Sequence, residues 1–104
     1  HQAIQFLLAD MKTKIEASRM LTWKSAADSD AGVKNTESAA HAKRFAADTA
    51  MEVATDAVQV YGGYGYSEEY PVARLMRAAK VMQIYEGSSQ VQKMIIGREI
   101  TKDL

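Results

Sequence analysis

The sequence predicts an all-α fold, a four-helix up-and-down bundle formed by one domain of 104 residues. Three observations support this prediction. Apolar residues recur at spacings of three and four along most of the chain, which is the pattern of amphipathic helices. No segment alternates apolar and polar residues as a half-buried strand does. A single proline and six glycines leave few positions that would interrupt a long helix.

Helix one is predicted at residues 2–28. The segment DSDAGVKNT follows it and is rich in turn-forming residues, and Asn35 or Thr36 is suited to cap the next helix. So short a connection predicts that helix two returns antiparallel to helix one. The predicted apolar stripe of helix one consists of Ile4, Leu7, Leu8, Met11, Ile15, Leu21 and Trp23.

Helix two is predicted at residues 37–61, as the central helix of the bundle. Its stripe is mostly alanine, which allows a neighbouring helix to approach closely. Gly62 and Gly63 suit a helix C-terminus, and Pro71 suits the first turn of the next helix. The stripe consists of Ala39, Ala42, Ala46, Ala50, Val53, Ala57 and Val60.

Helix three is predicted at residues 71–85, and helix four extends from a Ser88 or Ser89 cap to about residue 102. Gly87 separates the two helices. The buried stripe of helix three is predicted to be Val72, Leu75, Met76, Ala79 and Met82. The apolar residues of helix four are Val91, Met94 and Ile95.

Composition excludes several functional classes. Thirteen basic and thirteen acidic residues cancel, so no general attraction to nucleic acid or to an anionic membrane is expected. The absence of cysteine excludes disulfides and thiolate chemistry and fits a reducing compartment. No apolar run approaches the roughly 20 residues of a membrane span. His1 and His41 lack partners at ligand spacing, so no metal site is predicted, and the chain starts inside a helical pattern, as a piece of a longer protein would.

Two further segments resemble ligand sites but have simpler explanations. GGYGYS places Gly63 and Gly65 as in a dinucleotide-binding GxGxxG, but Glu68 occupies the third glycine position and a helix precedes the segment, so a Rossmann loop is rejected. The segment is either a helix stop or a backbone surface that a ligand approaches closely. A basic strip on helix three, which more often faces solvent or another subunit than a phosphate, consists of Arg74, Arg77 and Lys80.

Glu86 lies in QIYEGSSQVQ, beside apolar residues and a glycine, at the junction of helices three and four. A carboxylate held in apolar surroundings has a raised pKa, which makes it a useful base near neutral pH. From spacing alone, a glutamate at such a position is more often an ordinary residue at a helix C-terminus. Ser88, Ser89 and the first N–H groups of helix four form either an anion site or an ordinary cap.

Two motifs at their mutual spacing resemble the C-terminal helical domain of the acyl-CoA dehydrogenases, most closely the short- and medium-chain members: QVYGGYGYSEEYPVARLMR and IYEGSSQVQKMIIGRE. HQAIQFLLADM and TDAVQV fit the same domain, so the resemblance covers essentially the whole chain. It implies an FAD-dependent oxidoreductase that oxidises a fatty acyl-CoA to the trans-2-enoyl-CoA and passes electrons to electron-transfer flavoprotein. It also implies a homotetramer, with an N-terminal helical domain and a middle β domain preceding this bundle.

The resemblance implies roles for seven residues. Glu86 corresponds to the family's catalytic base, which removes the pro-R α proton while hydride leaves the β carbon for the flavin. The backbone N–H of Glu86 corresponds to a donor that stabilises the enolate oxygen, and Gly87 matches a position near the substrate. Contacts with FAD are implied for Gln59, Gly62 and Gly63 across a subunit interface, and for Ser88 and Gln90 within one subunit.

The chain departs from the family pattern at Ser88, where many members have threonine, and at Ala78, where many have aspartate. The middle domain and an upstream FAD-binding arginine lie outside the 104 residues, so we expect the isolated domain to be inactive and to bind FAD weakly. The alternatives are a non-catalytic oligomerisation domain and an oxidase-type relative. The expected compartment is the cytoplasm of a bacterium or the mitochondrial matrix of a eukaryote.

Overall fold

A computed structural model describes residues 1–104 and contains helices only. The five helices are α1 (Gln2–Asp30), α2 (Thr36–Tyr61), α3 (Gly63–Tyr66), α4 (Pro71–Met82) and α5 (Ser89–Thr101). The molecule is elongated, with extents of 50 × 27 × 26 Å. The all-α fold class is therefore confirmed. In addition to the four predicted helices there is one short helix, α3, that the sequence did not predict. None of the five helices combines the length and the apolar character that a membrane crossing requires.

Helices α1 and α2 form an antiparallel hairpin. Lys14 pairs with Glu52, and Asn35 lies beside Ser25, so the two helices run in opposite directions from the connecting loop. Asn35 occupies the N-cap position of α2, but its side chain makes no cap hydrogen bond. Its amide instead donates to the Ser25 carbonyl at 3.3 Å. The predicted capping role of this side chain was therefore wrong, because it ties the loop back to α1.

Helix α2 is the central element, as predicted, since it contacts every other helix. Its buried residues differ from the predicted stripe, however. Ala42 is buried, but the other members of that stripe are only half-buried. The remaining buried positions of α2 are Ala40, Ala47 and Thr49. The buried sector is rotated and wider than one stripe because neighbours pack on more than one side of this helix.

The short helix α3 begins immediately after the predicted glycine stop. Gly62 caps α2 with φ 66° and ψ −143°, a conformation that is essentially restricted to glycine. Gly65 is buried against α2, where an added Cβ would lie 2.5 Å from the Val58 carbonyl oxygen. The tyrosine rings of this segment pack together, with the centroids of Tyr64 and Tyr70 separated by 5.7 Å. Two glycines therefore let the chain turn sharply and still pack on α2.

Helices α4 and α5 follow one another along α2 and do not contact each other. Lys43 of α2 donates to the Met82 carbonyl at the end of α4, whereas Lys34 near the start of α2 pairs with Glu99 of α5. Both short helices thus run antiparallel to α2. The up-and-down order holds for α1, α2 and α4, and α5 continues in the direction of α4.

The predicted apolar stripes of the short helices are only partly buried. Val72 and Ala79 of α4 are buried, but Leu75 and Met82 are exposed. In α5 the buried residues are Ser89 and Gln92, whereas Val91 and Met94 are exposed and Ile95 is half-buried. The reason is that α5 contacts α2 alone and turns a polar edge toward it. Its apolar side chains therefore remain available for other protein surfaces.

Candidate active site

The junction between α4 and α5 is a loop of six residues, 83–88. Helix α4 ends at Met82, three residues before the predicted end. Beyond it the Gln83 and Ile84 N–H groups donate to carbonyls three residues back, those of Lys80 at 3.1 Å and Val81 at 3.0 Å, as in a tightened last turn. The chain then turns, and Glu86 has φ 56°, which is the only positive φ among the non-glycine residues. Glu86 is therefore a loop residue and not the helix end that its sequence position suggested.

Gly87 allows this turn for two reasons. Its φ of 89° lies in the region that favours glycine, and a Cβ at this position would lie 2.4 Å from the side-chain nitrogen of Gln92. The same Gln92 amide donates to the Gly87 carbonyl at 3.2 Å. Gln92 is buried, so it holds the loop from inside the molecule. The predicted break at Gly87 thus depends on the first turns of α5.

Glu86 is exposed, and its side chain makes no hydrogen bond within the chain. Its apolar neighbours Ile84 and Tyr85 are exposed too, with 61% and 46% of their surfaces accessible. The predicted apolar enclosure of the carboxylate is therefore not formed by these 104 residues. The backbone N–H groups of Glu86, Gly87 and Ser88 also lack acceptors in the chain. One exposed loop thus carries a carboxylate and three backbone N–H groups without partners in the chain.

Asp48 connects the loop to α2 by hydrogen bonds. Its Oδ1 accepts from Gln83 Nε2 at 2.8 Å and from Ser89 Oγ at 2.7 Å. Burial raises the pKa of Asp48, but these two hydrogen bonds and the nearby charges of Arg44 and Lys93 outweigh burial and hold the pKa below its ordinary value. The carboxylate is therefore ionised near neutral pH and acts as a charged acceptor.

Sequence reasoning overlooked Asp48, Gln83 and Gln92. The available signal was a single acidic residue after Ala46 and Ala47, inside an otherwise small and apolar segment of helix two. A charged residue at such a position needs a partner. The partners come from a segment 35 to 41 residues further along the chain, so spacing within one helix could not reveal them.

Ser88 and Gln90 lie at the start of α5, next to Glu86. The Ser88 hydroxyl caps α5 by accepting from the Val91 N–H at 3.2 Å, which confirms the predicted cap. Its own O–H proton remains available to donate, because a hydroxyl is both donor and acceptor. Gln90 is exposed on the first turn. The residues that the sequence grouped around Glu86 are thus neighbours in the structure.

The other predicted group lies elsewhere. Gln59, Gly62 and Gly63 are exposed at the far end of α2. Asp48, the α2 residue that accepts hydrogen bonds from Gln83 and Ser89, is about 16 Å from Gln59 along the helix at roughly 1.5 Å per residue. A Cβ at Gly62 or Gly63 would meet no atom within 4 Å, so the backbone there is open. The two groups of predicted cofactor residues are therefore not brought together within one chain.

The basic strip of helix three lines a groove between α2, α3 and α4. The groove has a volume of about 1100 Å³, and its apolar lining residues include Met51, Val58 and Met76. Its cations are exposed. They are Arg74, Arg77 and Lys80, with the carboxylate of Glu68 also at the edge of the groove.

Comparison with known proteins identifies the family. Residues 1–101 match the family described as "Acyl-CoA dehydrogenase, C-terminal domain". The chain is 52% identical over 103 residues to cyclohexane-1-carbonyl-CoA dehydrogenase of Geobacter metallireducens, covering 99% of this chain and 27% of the relative.

Two solved structures are also similar. Butyryl-CoA dehydrogenase of Megasphaera elsdenii has a TM-score of 0.95 at 57% identity, over 96% of this chain and 26% of that chain. A chain in the structure of the electron transferring flavoprotein of Acidaminococcus fermentans has a TM-score of 0.97 at 52% identity. The match covers 99% of this chain and 27% of that chain. The chain thus spans about a quarter of the length of these relatives. It belongs to the acyl-CoA dehydrogenase family, in which it corresponds to the C-terminal domain.

Proposed function

We propose that this chain is the C-terminal domain of a longer FAD-dependent acyl-CoA dehydrogenase, in which Glu86 is the base that removes the α proton of the substrate. One observation carries the proposal. Glu86 is the only non-glycine residue with positive φ, and it presents an exposed carboxylate on a loop held by buried polar residues. Backbone strain of this kind concentrates at functional sites.

The reaction is an α,β-dehydrogenation of a fatty acyl-CoA to the trans-2-enoyl-CoA. The Glu86 carboxylate takes the α proton, and the electron pair of that C–H bond becomes the second bond between the α and β carbons. FAD, when bound, accepts the hydride that leaves the β carbon. The thioester α proton is weakly acidic, so the base works only if the enolate oxygen is stabilised and the carboxylate is shielded from water.

The loop supplies one part of that stabilisation. The Glu86 N–H has no acceptor within the chain and is therefore free to donate to a thioester oxygen. Gly87 has no side chain that would obstruct an acyl group beside it. Shielding of the carboxylate must come from the substrate and from other parts of the longer protein, since Ile84 and Tyr85 leave it open.

The residues proposed to hold FAD fit a dinucleotide in two ways. Gly62 and Gly63 expose backbone that no Cβ covers, which allows close approach of a phosphate or ribose. Ser88 and Gln90 offer a hydroxyl and an amide at the N-terminus of α5, where anionic groups are favoured. Because Gln59 and the glycines lie far from Glu86 along α2, we assign them to the FAD of a neighbouring subunit.

The proposed partners follow from the family. They are an acyl-CoA substrate, electron-transfer flavoprotein as electron acceptor, and further copies of the same subunit in a tetramer. The butyryl-CoA dehydrogenase and the electron transferring flavoprotein structure among the similar chains support the first two. The relatives are bacterial, which favours the bacterial cytoplasm of the two expected compartments.

The test is Glu86→Gln in the longer flavoenzyme. The amide keeps the size of the side chain but is no base, so we expect FAD to be retained and dehydrogenation of butyryl-CoA to fall by at least about a thousandfold. Glu69→Gln is the matched control, because Glu69 is an exposed acid outside the loop. Turnover of Glu86→Gln within a few-fold of the unmodified enzyme would remove Glu86 from the role of base.

A second function, assembly, is compatible with the first. Many large apolar side chains are exposed on α1 and α5, where a solitary domain would bury them. The clearest are Phe6 at 62%, Trp23 at 58% and Met94 at 72% exposure. We assign these surfaces to contacts with other domains and subunits.

A further inference from the structure

A ring of three hydrogen bonds closes the loop that carries Glu86. Gln83 and Ser89 both donate to Asp48 Oδ1, and the Ser89 N–H donates to the Gln83 carbonyl at 3.1 Å. We call this set of residues, Asp48, Gln83 and Ser89, the junction clamp. It joins the first residue of the loop to the first residue of α5, with α2 as the anchor. The residues between them make no hydrogen bond to α2. Two other contacts with that helix are close by: the hydrogen bond from Lys43 to the Met82 carbonyl, one residue before the clamp, and the approach of Lys43 Nζ to within 6.0 Å of the centroid of the Tyr85 ring.

The clamp is a partly buried polar network. Ser89 is only 6% exposed, and its hydroxyl is directed to a charged acceptor. Charge-assisted hydrogen bonds are shorter and stronger than neutral ones, and here both distances are below 3.0 Å. Removing the shared acceptor would leave a buried hydroxyl and an amide without partners, which is more costly than the loss of an exposed ion pair.

The loop needs such a constraint. Glu86 at φ 56° occupies a conformation that costs of the order of 1 kcal/mol or more for a residue with a side chain. Nothing in Glu86 itself offsets this cost, because neither its side chain nor its N–H has a partner in the chain. The constraint must therefore come from the residues on either side, which are the clamp and the hydrogen bond from Gln92 to Gly87.

We infer that Asp48 is a positioning residue for Glu86: through Gln83 and Ser89 it fixes the two ends of the loop and so directs the carboxylate and the backbone N–H of Glu86 to the same substrate. This inference rests on the proposed function. Asp48 touches neither substrate nor cofactor, and acts only through the loop. Small displacements of a reacting group have large effects on rate, of the order of a hundredfold for about 1 Å.

The experiment compares Asp48→Ala with Asp48→Asn in the longer flavoenzyme. Asparagine keeps an oxygen that can accept from Ser89 and Gln83, whereas alanine keeps none. One measurement is exchange of the α proton with deuterium oxide, using an acyl-CoA analogue with sulfur at the β position, which cannot lose hydride. This isolates the base step. The other measurements are kcat and KM with butyryl-CoA and the Kd of the analogue.

We expect Asp48→Ala to lower α-proton exchange and kcat together by about tenfold to a hundredfold, with Kd changed less than about threefold. Asp48→Asn should restore most of the rate. Glu52→Gln, an exposed acid one turn further along α2, is the matched control and should behave as the unmodified enzyme. If Asp48→Ala does not assemble, Ser89→Ala removes one hydrogen bond of the clamp, and a decrease in exchange of several-fold is expected.

Three outcomes contradict the inference. The first is a folded Asp48→Ala protein whose α-proton exchange and kcat stay within twofold of the unmodified enzyme, which would show that the clamp does not position the base. Where Asp48→Ala does not assemble, the same result in Ser89→Ala has the same meaning. Equal losses of exchange and kcat in Asp48→Asn and Asp48→Ala would show that Asp48 does not act as a hydrogen-bond acceptor for Gln83 and Ser89. A loss confined to thermal stability and Kd would show a purely structural role. Failure of the proposed function is separate, since exchange would then persist in Glu86→Gln.

Discussion

Single residues at the α4–α5 junction show how local chemistry and long-range contacts combine. Gly87 provides a backbone conformation that side chains disfavour, and this property is visible in the sequence. Glu86 lacks this conformational freedom, because its Cβ makes a positive φ sterically unfavourable. This cost is offset by hydrogen bonds that Asp48 of α2 and Gln92 of α5 make to the residues on either side of Glu86. The strained residue is also the one whose carboxylate we propose as the base.

Asp48 makes the stability of the fold sensitive to acid. Its folded pKa lies below the ordinary value of 3.8, so its stabilising contribution is complete above about pH 4 to 5 and is lost as the pH falls through the folded pKa. We expect Asp48→Asn to lower the free energy of unfolding by about 1 kcal/mol at pH 6, since a neutral acceptor replaces a charged one. Urea denaturation between pH 3 and pH 6 measures the difference.

The gap between the two proteins should narrow as the pH falls below 3.8 toward the lowered folded pKa of Asp48, because the carboxylate loses its charge there. Glu37→Gln on the same helix is a suitable control, because Glu37 is exposed and its only hydrogen-bond partner is His41. A gap that stays constant across this pH range would contradict the assignment of the effect to the ionised carboxylate.

At the scale of elements, glycine positions determine how closely the helices approach. Gly65 of α3 and Gly97 of α5 are both helical glycines without a positive φ, yet they face different surroundings. At Gly65 an added Cβ would lie 2.5 Å from the Val58 carbonyl oxygen and 2.8 Å from the Tyr61 Cβ. At Gly97 it would meet nothing within 4 Å. The first glycine is required by packing, and the second is not required within this chain.

Substitution by alanine should therefore have opposite effects at the two positions. Gly65→Ala should lower the free energy of unfolding by about 1 to 3 kcal/mol, because backbone and Cβ atoms cannot move aside cheaply. Gly97→Ala should raise it by up to about 1 kcal/mol through improved helix propensity. Urea denaturation of both variants provides the comparison. Equal signs at the two positions would contradict the packing of α3 on α2.

At the scale of the whole molecule, the chain buries little of itself. Only 9 of its 104 residues are buried, and no large side chain is fully buried, so hydrophobic burial within the chain is small for its length. Exposed apolar residues are distributed over both α1 and α5. A domain with this surface needs other protein surfaces to reach ordinary stability.

We therefore expect the isolated 104-residue chain to self-associate and to lack activity. Sedimentation velocity should detect oligomers, and Phe6→Gln with Trp23→Gln should reduce them, because both side chains are more than half exposed. Incubation with FAD and butyryl-CoA should produce no reduction of an electron acceptor. A purified chain that is yellow and reduces an acceptor would disprove the expectation that the domain is incomplete on its own.

The sequence by itself determined the all-α class, the central position of α2, the stop at Gly62, the Ser88 cap and the family, because these depend on local spacing and on motifs within a few turns. Tertiary structure decided the end of α4, the strained conformation of Glu86 and the role of Asp48. The role of Asp48 depends on hydrogen bonds between residues 35 to 41 positions apart, and neither periodicity nor propensity contains them. Tertiary structure also decided that the Glu86 carboxylate is exposed to solvent in this chain, because enclosing a carboxylate requires surfaces from several elements at once.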